Sequence, residues 1–260
     1  MTRPSVPARQ LSLLAADATP AGLDDLEGLL CGTGHVVRGI GGNAGKARVS
    51  VLVDDAWRVS ALEARLAELD LLEPARPAAT PTRPDAVSVR TCFDERLLPL
   101  VARWTRGATP VAPPDLHLDG PRLWWWAVSS GTGDRGSGGR GFRLRLAASA
   151  PERWAPVGAA LAEVGVAGIF LGPRADGPAY RLVGTRRLRR LADLVGGIPP
   201  GAPPSAWPTD VPGSPTTPAG AHRPPTGARR AGTGAEPLPR PAGTEPVPAG
   251  LHSTRTASDR

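Results

Sequence analysis

The sequence is poor in the residues that build metal clusters, disulfide frameworks and membrane spans. It has two cysteines, Cys31 and Cys92, and four histidines, all widely spaced. No Cys-x-x-Cys pair occurs, which argues against a zinc site and against a disulfide scaffold. No apolar run reaches the length of a membrane helix, and the apolar stretch near the N-terminus is too short for a signal peptide. We therefore expect a soluble cytoplasmic protein with reduced thiols and no membrane partner.

Lysine is almost absent, because the sequence has one lysine, Lys46, and thirty arginines. The formal net charge of +7 favours an anionic partner such as nucleic acid. The abundance of alanine, glycine and proline indicates a GC-rich coding bias, which lowers the weight of the arginine count. Residues 1–120 carry 13 basic and 15 acidic side chains, whereas residues 121–198 carry 12 and 5. A nucleic-acid surface should therefore depend mainly on the second half.

The C-terminal segment, residues 199–260, has few apolar side chains. It holds 15 of the 31 prolines, and its main apolar residues are Trp207, Leu238 and Leu251. Such a segment cannot bury enough surface to offset the entropy lost on ordering. We predict a disordered tail. A polyproline-II segment that docks a partner protein is the alternative.

An internal repeat organises the rest of the chain. Residues 47–71 align without a gap with residues 142–166, at an offset of 95. Each copy opens with an alternating stretch, at residues 48–51 and 143–146, that indicates a half-buried strand. A helix with one apolar face follows in both copies.

Further elements flank this pair in the same order. Each copy has an apolar helix that ends in glycine, a strand before the alternating one, a strand after the middle helix, and a last helix. In the first copy these four elements are, in that order, 23–34, 35–40, 86–91 and 93–104. In the second copy they are 122–131, 132–136, 179–184 and 186–195. This order predicts an α+β fold of two tandem αββαββα-like repeats related by a pseudo-two-fold axis. The predicted divisions are an N-terminal extension at 1–18, repeats at 19–112 and 113–198, and the tail at 199–260.

The two glycine-ended helices carry a family pattern. Leu26-Glu-Gly-Leu-Leu-Cys-Gly-Thr-Gly34 resembles the signature of the LAGLIDADG homing endonucleases, and Trp126-Ala-Val-Ser-Ser-Gly-Thr132 resembles that family's second motif. The resemblance spans about residues 19–198. It implies that the motif helices pack side by side, where Gly28 permits close approach, although Trp125 opposite it is bulky for that arrangement. It also implies a monomer whose two four-stranded sheets form a saddle over the DNA major groove.

The family's chemistry needs an acidic residue at the end of each motif helix, where it holds a divalent metal for phosphodiester cleavage. In this chain those positions are Thr33 and Ser130. A hydroxyl cannot replace a carboxylate as a Mg²⁺ ligand, so the resemblance implies no catalytic residue, no metal and no cofactor. The two side chains would instead bond the last carbonyls of their helices. Asp134 is the nearby acid that could support residual Mg²⁺-dependent cleavage, although a surface-loop role is the simpler interpretation.

The alternating strands place polar side chains on one face of each sheet. Arginine suits guanine edges and phosphates, and basic hairpin tips suit backbone contacts. An ordinary solvated sheet face would alternate in the same way and is the alternative. The candidate DNA-binding residues are Lys46, Arg48, Ser50, Ser88, Arg90, Arg135, Arg140, Arg143, Arg145 and Arg181.

We therefore expect a DNA-binding, regulatory protein on a homing-endonuclease scaffold without nuclease activity. In this respect it resembles the WhiA family of actinobacterial regulators, although no helix-turn-helix segment is evident. One alternative is a LAGLIDADG endonuclease with residual cleavage. Another is a pseudo-enzyme that binds protein, with the tail as its docking segment, which the net charge of −2 in residues 1–120 favours. Structured RNA also stays open as a partner, since the resembled family includes intron maturases.

Overall fold

Two copies of one element order make up the part of the chain that the computed structural model describes, residues 20–77, 85–134, 141–174 and 177–208. The first copy begins with a 3-10 turn and comprises α1 (Glu27–Cys31), β1 (His35–Arg38), β2 (Ala47–Val53), α2 (Ala56–Glu68), β3 (Leu72–Pro77), β4 (Val87–Thr91) and α3 (Leu98–Trp104). A small hairpin of β5 (Thr105–Arg106) and β6 (Thr109–Pro110) follows. The second copy comprises α4 (Gly120–Ser130), β7 (Gly131–Asp134), β8 (Gly141–Arg145), α5 (Trp154–Glu163), β9 (Ile169–Leu171), β10 (Ala179–Val183) and α6 (Thr185–Val195).

Each copy forms a four-stranded antiparallel sheet with the same strand order. The order is β1-β2-β4-β3 in the first sheet and β7-β8-β10-β9 in the second. The predicted α+β fold of two tandem αββαββα repeats is therefore confirmed. The sequence pattern predicts no residues for β3 or β9. The reason is physical, because β3 contains two prolines and is irregularly paired, and β9 has only three residues.

The strands alternate as their sequences predict. Along β2, Val49, Val51 and Val53 are buried, while Arg48 and Ser50, which alternate with them, are partly exposed. In β8, Phe142 and Leu144 are buried and the arginines beside them are not. The buried side of both sheets packs on the helices, so the polar side chains occupy the opposite face.

Helix α4 lies at the centre of this helical layer. It contacts α1 and α2 of the first copy and α6, β7 and β8 of the second. Its three consecutive tryptophans, Trp124, Trp125 and Trp126, are all buried, as expected for core residues. The Trp126 indole Nε1 donates to the Arg145 carbonyl at 2.8 Å, which joins α4 to the end of β8.

Helices α1 and α4 approach each other closely at Gly28. A Cβ atom there would clash with the Arg122 carbonyl oxygen and would lie 2.9 Å from the Cβ atom of Trp125. Gly28 and Trp125 hold equivalent positions in the two motif helices, so they face each other across the pseudo-two-fold axis. The missing side chain on one helix provides the space for the large one on the other.

The prediction of a disordered tail from residue 199 places the start of that tail too early. Residues up to Pro208 are described, and Trp207 is only 3% exposed. Its indole Nε1 donates to the Gly196 carbonyl at 3.2 Å, and the Ser205 carbonyl lies against Gly133 of β7. The burial of Trp207 and the contact of Ser205 with β7 hold the start of a segment whose proline content predicts disorder. Residues 209–260, and the N-terminal extension predicted at 1–18, lie outside the described residues.

Of the helices in the described residues, none combines the length and the apolar character needed to cross a membrane.

We expect Gly28→Ala to destabilise the fold, because a Cβ at position 28 would meet the Arg122 carbonyl oxygen and the Cβ atom of Trp125. The predicted fall in the free energy of unfolding is about 1–3 kcal/mol, typical of overpacking. Helix propensity alone would change it by about 1 kcal/mol in the other direction. Urea denaturation measures the difference. Gly42→Ala is the control, since a Cβ there meets nothing within 4 Å. A Gly28→Ala variant as stable as the parent would contradict the close approach.

Candidate nucleic-acid interface

The predicted strand residues come together on the outward face of the two sheets, here called the arginine face. Ser50 of β2 pairs directly with Arg90 of β4. Arg143 of β8 pairs directly with Arg181 of β10. The remaining members alternate with buried neighbours or lie in the turn before β2: Lys46, Arg48, Ser88 and Arg145. Arg135 and Arg140, also predicted as DNA contacts, lie outside the described residues.

Two carboxylates hold four of these arginines. Glu73 of β3 pairs with Arg48 at 3.5 Å and with Arg90 at 3.0 Å. Asp134 of β7 accepts from Arg143 Nη2 at 3.2 Å and from Arg181 Nε. The four arginine side chains are only 16–29% exposed. They are therefore oriented by ion pairs within the sheets and are not freely extended into solvent.

Asp134 does not have the surface-loop role that the sequence suggested. It is 7% exposed and lies at the end of β7, opposite Gly141 of β8. The glycine-rich segment extends as a strand as far as Asp134, so the carboxylate reaches Arg143 of β8 and Arg181 of β10. Its position explains how two arginines can face each other directly, an arrangement that is otherwise unfavourable.

Lys46 and Arg145 differ from the other members of the arginine face because both are exposed. Lys46 precedes β2 in a turn that contains Gly45 with φ of +79°. Arg145 ends β8 and also lines a cleft at the ends of the motif helices. Among the predicted residues that the structure describes, these two side chains are the ones most open to solvent.

The cleft lies where α1 and α4 end, between the two sheets' loops. Its volume is about 200 Å³, and Thr33, Ser129 and Ser130 contribute hydroxyls to its lining. The hydroxyls of Ser129 and Ser130 donate to the Trp126 carbonyl at 3.2 and 3.3 Å. At Gly32, a Cβ atom would clash with the Ser130 hydroxyl oxygen, so the two helix ends are in contact.

Two buried arginines cap the motif helices. Arg58 of α2 donates to the carbonyls of Val128 and Ala127, and to that of Gly131 at 2.6 Å. These carbonyls close α4, where the last turn lacks intrahelical donors and carries partial negative charge. The Arg58 side chain is 7% exposed and also pairs with Asp55 at 2.7 Å.

Arg153 makes the matching contact at the other motif helix. Its Nη1 donates to the carbonyls of Leu30 and Gly34, at 3.2 and 3.4 Å, where α1 ends. Burial lowers the pKa of this guanidinium from its ordinary value. Arg58 and Arg153 are equivalent at the repeat offset of 95 residues. Each repeat therefore supplies the arginine that caps the motif helix of the other.

These caps were missed when the sequence was interpreted. The signal was present, because both arginines align in the 47–71 and 142–166 repeat, near the start of each middle helix. An arginine at the start of a helix normally remains on the surface, so the alignment alone does not indicate burial. Only the side-by-side packing of α1 and α4 brings each arginine under the opposite helix end.

We expect Arg58→Met and Arg153→Met to lower the free energy of unfolding by about 1–3 kcal/mol each, since buried helix carbonyls would lose their donors. Chemical denaturation of the full chain measures the effect. Arg106→Met is the matched control, because Arg106 is exposed on the small hairpin. If the Arg58 and Arg153 variants were as stable as the Arg106 variant, the caps would have no energetic role.

No family model matches the chain, and no curated protein matches it. Among solved structures, the homing endonuclease I-WcaI bound to its DNA recognition sequence is similar, with 11% identity, a TM-score of 0.49, and coverage of 72% of this chain and 82% of that one. The N-terminal LAGLIDADG domain of DUF199/WhiA is similar with 9% identity, a TM-score of 0.45, and coverage of 67% and 80%. Both likenesses concern the fold alone.

Proposed function

We propose that the protein binds double-stranded DNA through the arginine face and acts as a regulatory protein without nuclease activity. The observation that carries the proposal is the alignment of basic and hydroxyl side chains on one face of both sheets. Arginine forks suit phosphates and guanine edges, and serine hydroxyls suit either. The similar homing endonuclease is bound to its DNA recognition sequence, which agrees with this choice of partner.

The ion pairs of the arginine face favour a binding role over an ordinary solvated surface. Like charges placed directly opposite each other destabilise an antiparallel sheet. The chain nevertheless retains Arg143 opposite Arg181 and adds a buried carboxylate, Asp134, that offsets their repulsion. Held in this way, the arginines lose less side-chain entropy when they contact a ligand. The ion pairs lower the net charge of the arginine face but fix the orientation of its guanidinium groups, which suits recognition of a regular phosphate backbone.

The cleft at the motif-helix ends does not fit a divalent metal. Thr33 and Ser130 offer neutral hydroxyls where the family pattern needs carboxylates. The Arg58 guanidinium reaches the same cleft and pairs with Asp55, one of its two acidic residues. Within the described residues, no group of three or more histidine, cysteine, aspartate or glutamate side chains could hold a metal ion. A fixed positive charge at this point opposes Mg²⁺, so we propose DNA binding without cleavage.

DNA binding is tested by fluorescence anisotropy of the full chain on a random-sequence duplex across a salt series. We expect a log–log slope of about −4 to −7, which corresponds to about five to eight phosphate contacts. The double variant Lys46→Gln/Arg145→Gln should make the slope shallower by about 2, since each lost phosphate contact removes about one. Both residues are exposed, so the variant should fold normally.

The charge-matched control is Arg96→Gln/Arg106→Gln, which changes two arginines outside the four-stranded sheets. It should leave the slope unchanged. Equal slopes for the two double variants would contradict a role for the arginine face. Failure to bind duplex at about 50 mM salt, where phosphate contacts are strong, would instead favour the protein-interaction alternative. Tighter binding to a structured RNA hairpin than to duplex DNA would reassign the partner to RNA.

The absence of cleavage is tested with supercoiled plasmid in Mg²⁺ or Mn²⁺ buffer. We expect no nicking above that of a mock preparation, because the cleft carries a guanidinium and neutral hydroxyls where metal ligands are required. Asp54 is the second acidic residue that lines the cleft. Nicking that disappears in Asp134→Asn or Asp54→Asn would establish the residual-endonuclease alternative. Nicking that persists in both variants would indicate a contaminating nuclease, so each preparation is compared at matched purity.

A further inference from the structure

A second basic surface lies on α6, away from the arginine face. The helix carries Arg186, Arg187, Arg189 and Arg190 within eleven residues, against one acid, Asp193. The first three of these arginines are exposed, and Arg190 is partly exposed, its Nε lying 3.4 Å from the Val164 carbonyl. We call these four arginines the α6 patch.

The equivalent helix of the first copy has no such patch. Helix α3 contains a single arginine, Arg103, which pairs with Glu27 at 2.9 Å and with Asp115 at 3.1 Å. Among the described arginines of residues 121–198, four therefore lie on α6 and three lie on the second sheet, Arg143, Arg145 and Arg181. A duplication retained only for stability would not require this difference between the copies.

The α6 patch lies on the helical side of the second sheet. Leu188, Leu191 and Leu194 of α6 are buried, and the helix packs on α4 and β10. In β10, Leu182 faces this apolar layer, whereas Arg181 beside it belongs to the arginine face. The apolar and basic sides of α6 are opposed, so the patch points outward from the helical layer. It borders a broad concavity of about 990 Å³ that begins at the turn between β10 and α6.

The composition of the α6 patch favours a phosphate backbone over a protein or a membrane. A protein interface normally has an apolar centre. The large apolar side chains exposed in the described residues all lie elsewhere: Val37, Ile40, Leu72, Ile169, Phe170 and Ile198. A helix that lies on a lipid surface must insert its apolar face, and that of α6 is already buried in the core. Adjacent arginine forks are well suited to bidentate phosphate contacts.

We propose that α6 binds the phosphate backbone of a second DNA segment, so that one chain holds two duplexes, one on each side of its second sheet. The first duplex is the one assigned to the arginine face, and the two-duplex inference rests on that proposed function. A regulatory protein with this property would join distant DNA sites in addition to occupying one.

The test is a two-duplex capture experiment with the full chain. One duplex of about 20 base pairs, roughly two helical turns, is fixed on beads and saturated with protein. After washing, a fluorescent duplex of the same length is added, and its retention is measured. We expect the parent protein to retain the second duplex. The variant Arg186→Gln/Arg187→Gln should reduce retention at least about tenfold, while its anisotropy affinity for a single duplex changes less than about twofold.

The charge-matched control Arg96→Gln/Arg106→Gln should capture the second duplex as the parent does. Retention by the α6 variant equal to that of the parent would overturn the inference, as would failure of the parent to retain a second duplex. A large loss of single-duplex affinity in the α6 variant would also overturn it, since α6 would then contact the first duplex. Failure of the proposed function appears differently: Lys46→Gln/Arg145→Gln would then leave single-duplex binding unchanged.

Discussion

The contact between α1 and α4 is the constraint on which the rest of the structure depends, because it joins two repeats that otherwise have separate sheets. Gly28 brings the helices together, and at the same point the buried carboxylate of Glu27 accepts from three donors. These are Arg103 Nε at 2.9 Å, Trp104 Nε1 at 3.1 Å and Arg122 Nε at 3.2 Å. A buried carboxylate is stable only with such partners. The two repeats therefore share one core, and the exchanged arginines complete it at the opposite end of the helices.

The contact between α1 and α4 also determines which surfaces can carry polar and charged side chains. With the helices in the centre and both sheets packed on them, one face of each sheet is committed to the core and the other carries the polar side chains. Carboxylates on the edge strands β3 and β7 then orient the arginines of the inner strands. At the helix ends, hydroxyls and the Arg58 guanidinium line the cleft. The centre of the fold thus serves packing and helix capping.

Local pattern was enough to predict much of this architecture, and tertiary contact accounts for the rest. The alternation in β2 and β8, the apolar helices and the repeat offset are properties of neighbouring residues, so they could be read from the chain. Strand β3 could not, because its prolines hide the period of a strand. The burial of Arg58 and Arg153, and the ion pairs of Glu73 and Asp134, depend on residues brought together only by folding. Trp207 is a similar case, because its burial depends on tertiary contacts, whereas the proline content of its segment predicts disorder.

The exchange of arginine caps also constrains the order in which the chain can fold. Arg58 is 70 residues from Val128, and Arg153 is 123 residues from Leu30. Contacts over such separations form after local ones, because loop closure must precede them. During synthesis the first repeat emerges with α1 uncapped, and it stays so until residue 153 has left the ribosome. The first repeat on its own therefore lacks the donor that caps α1.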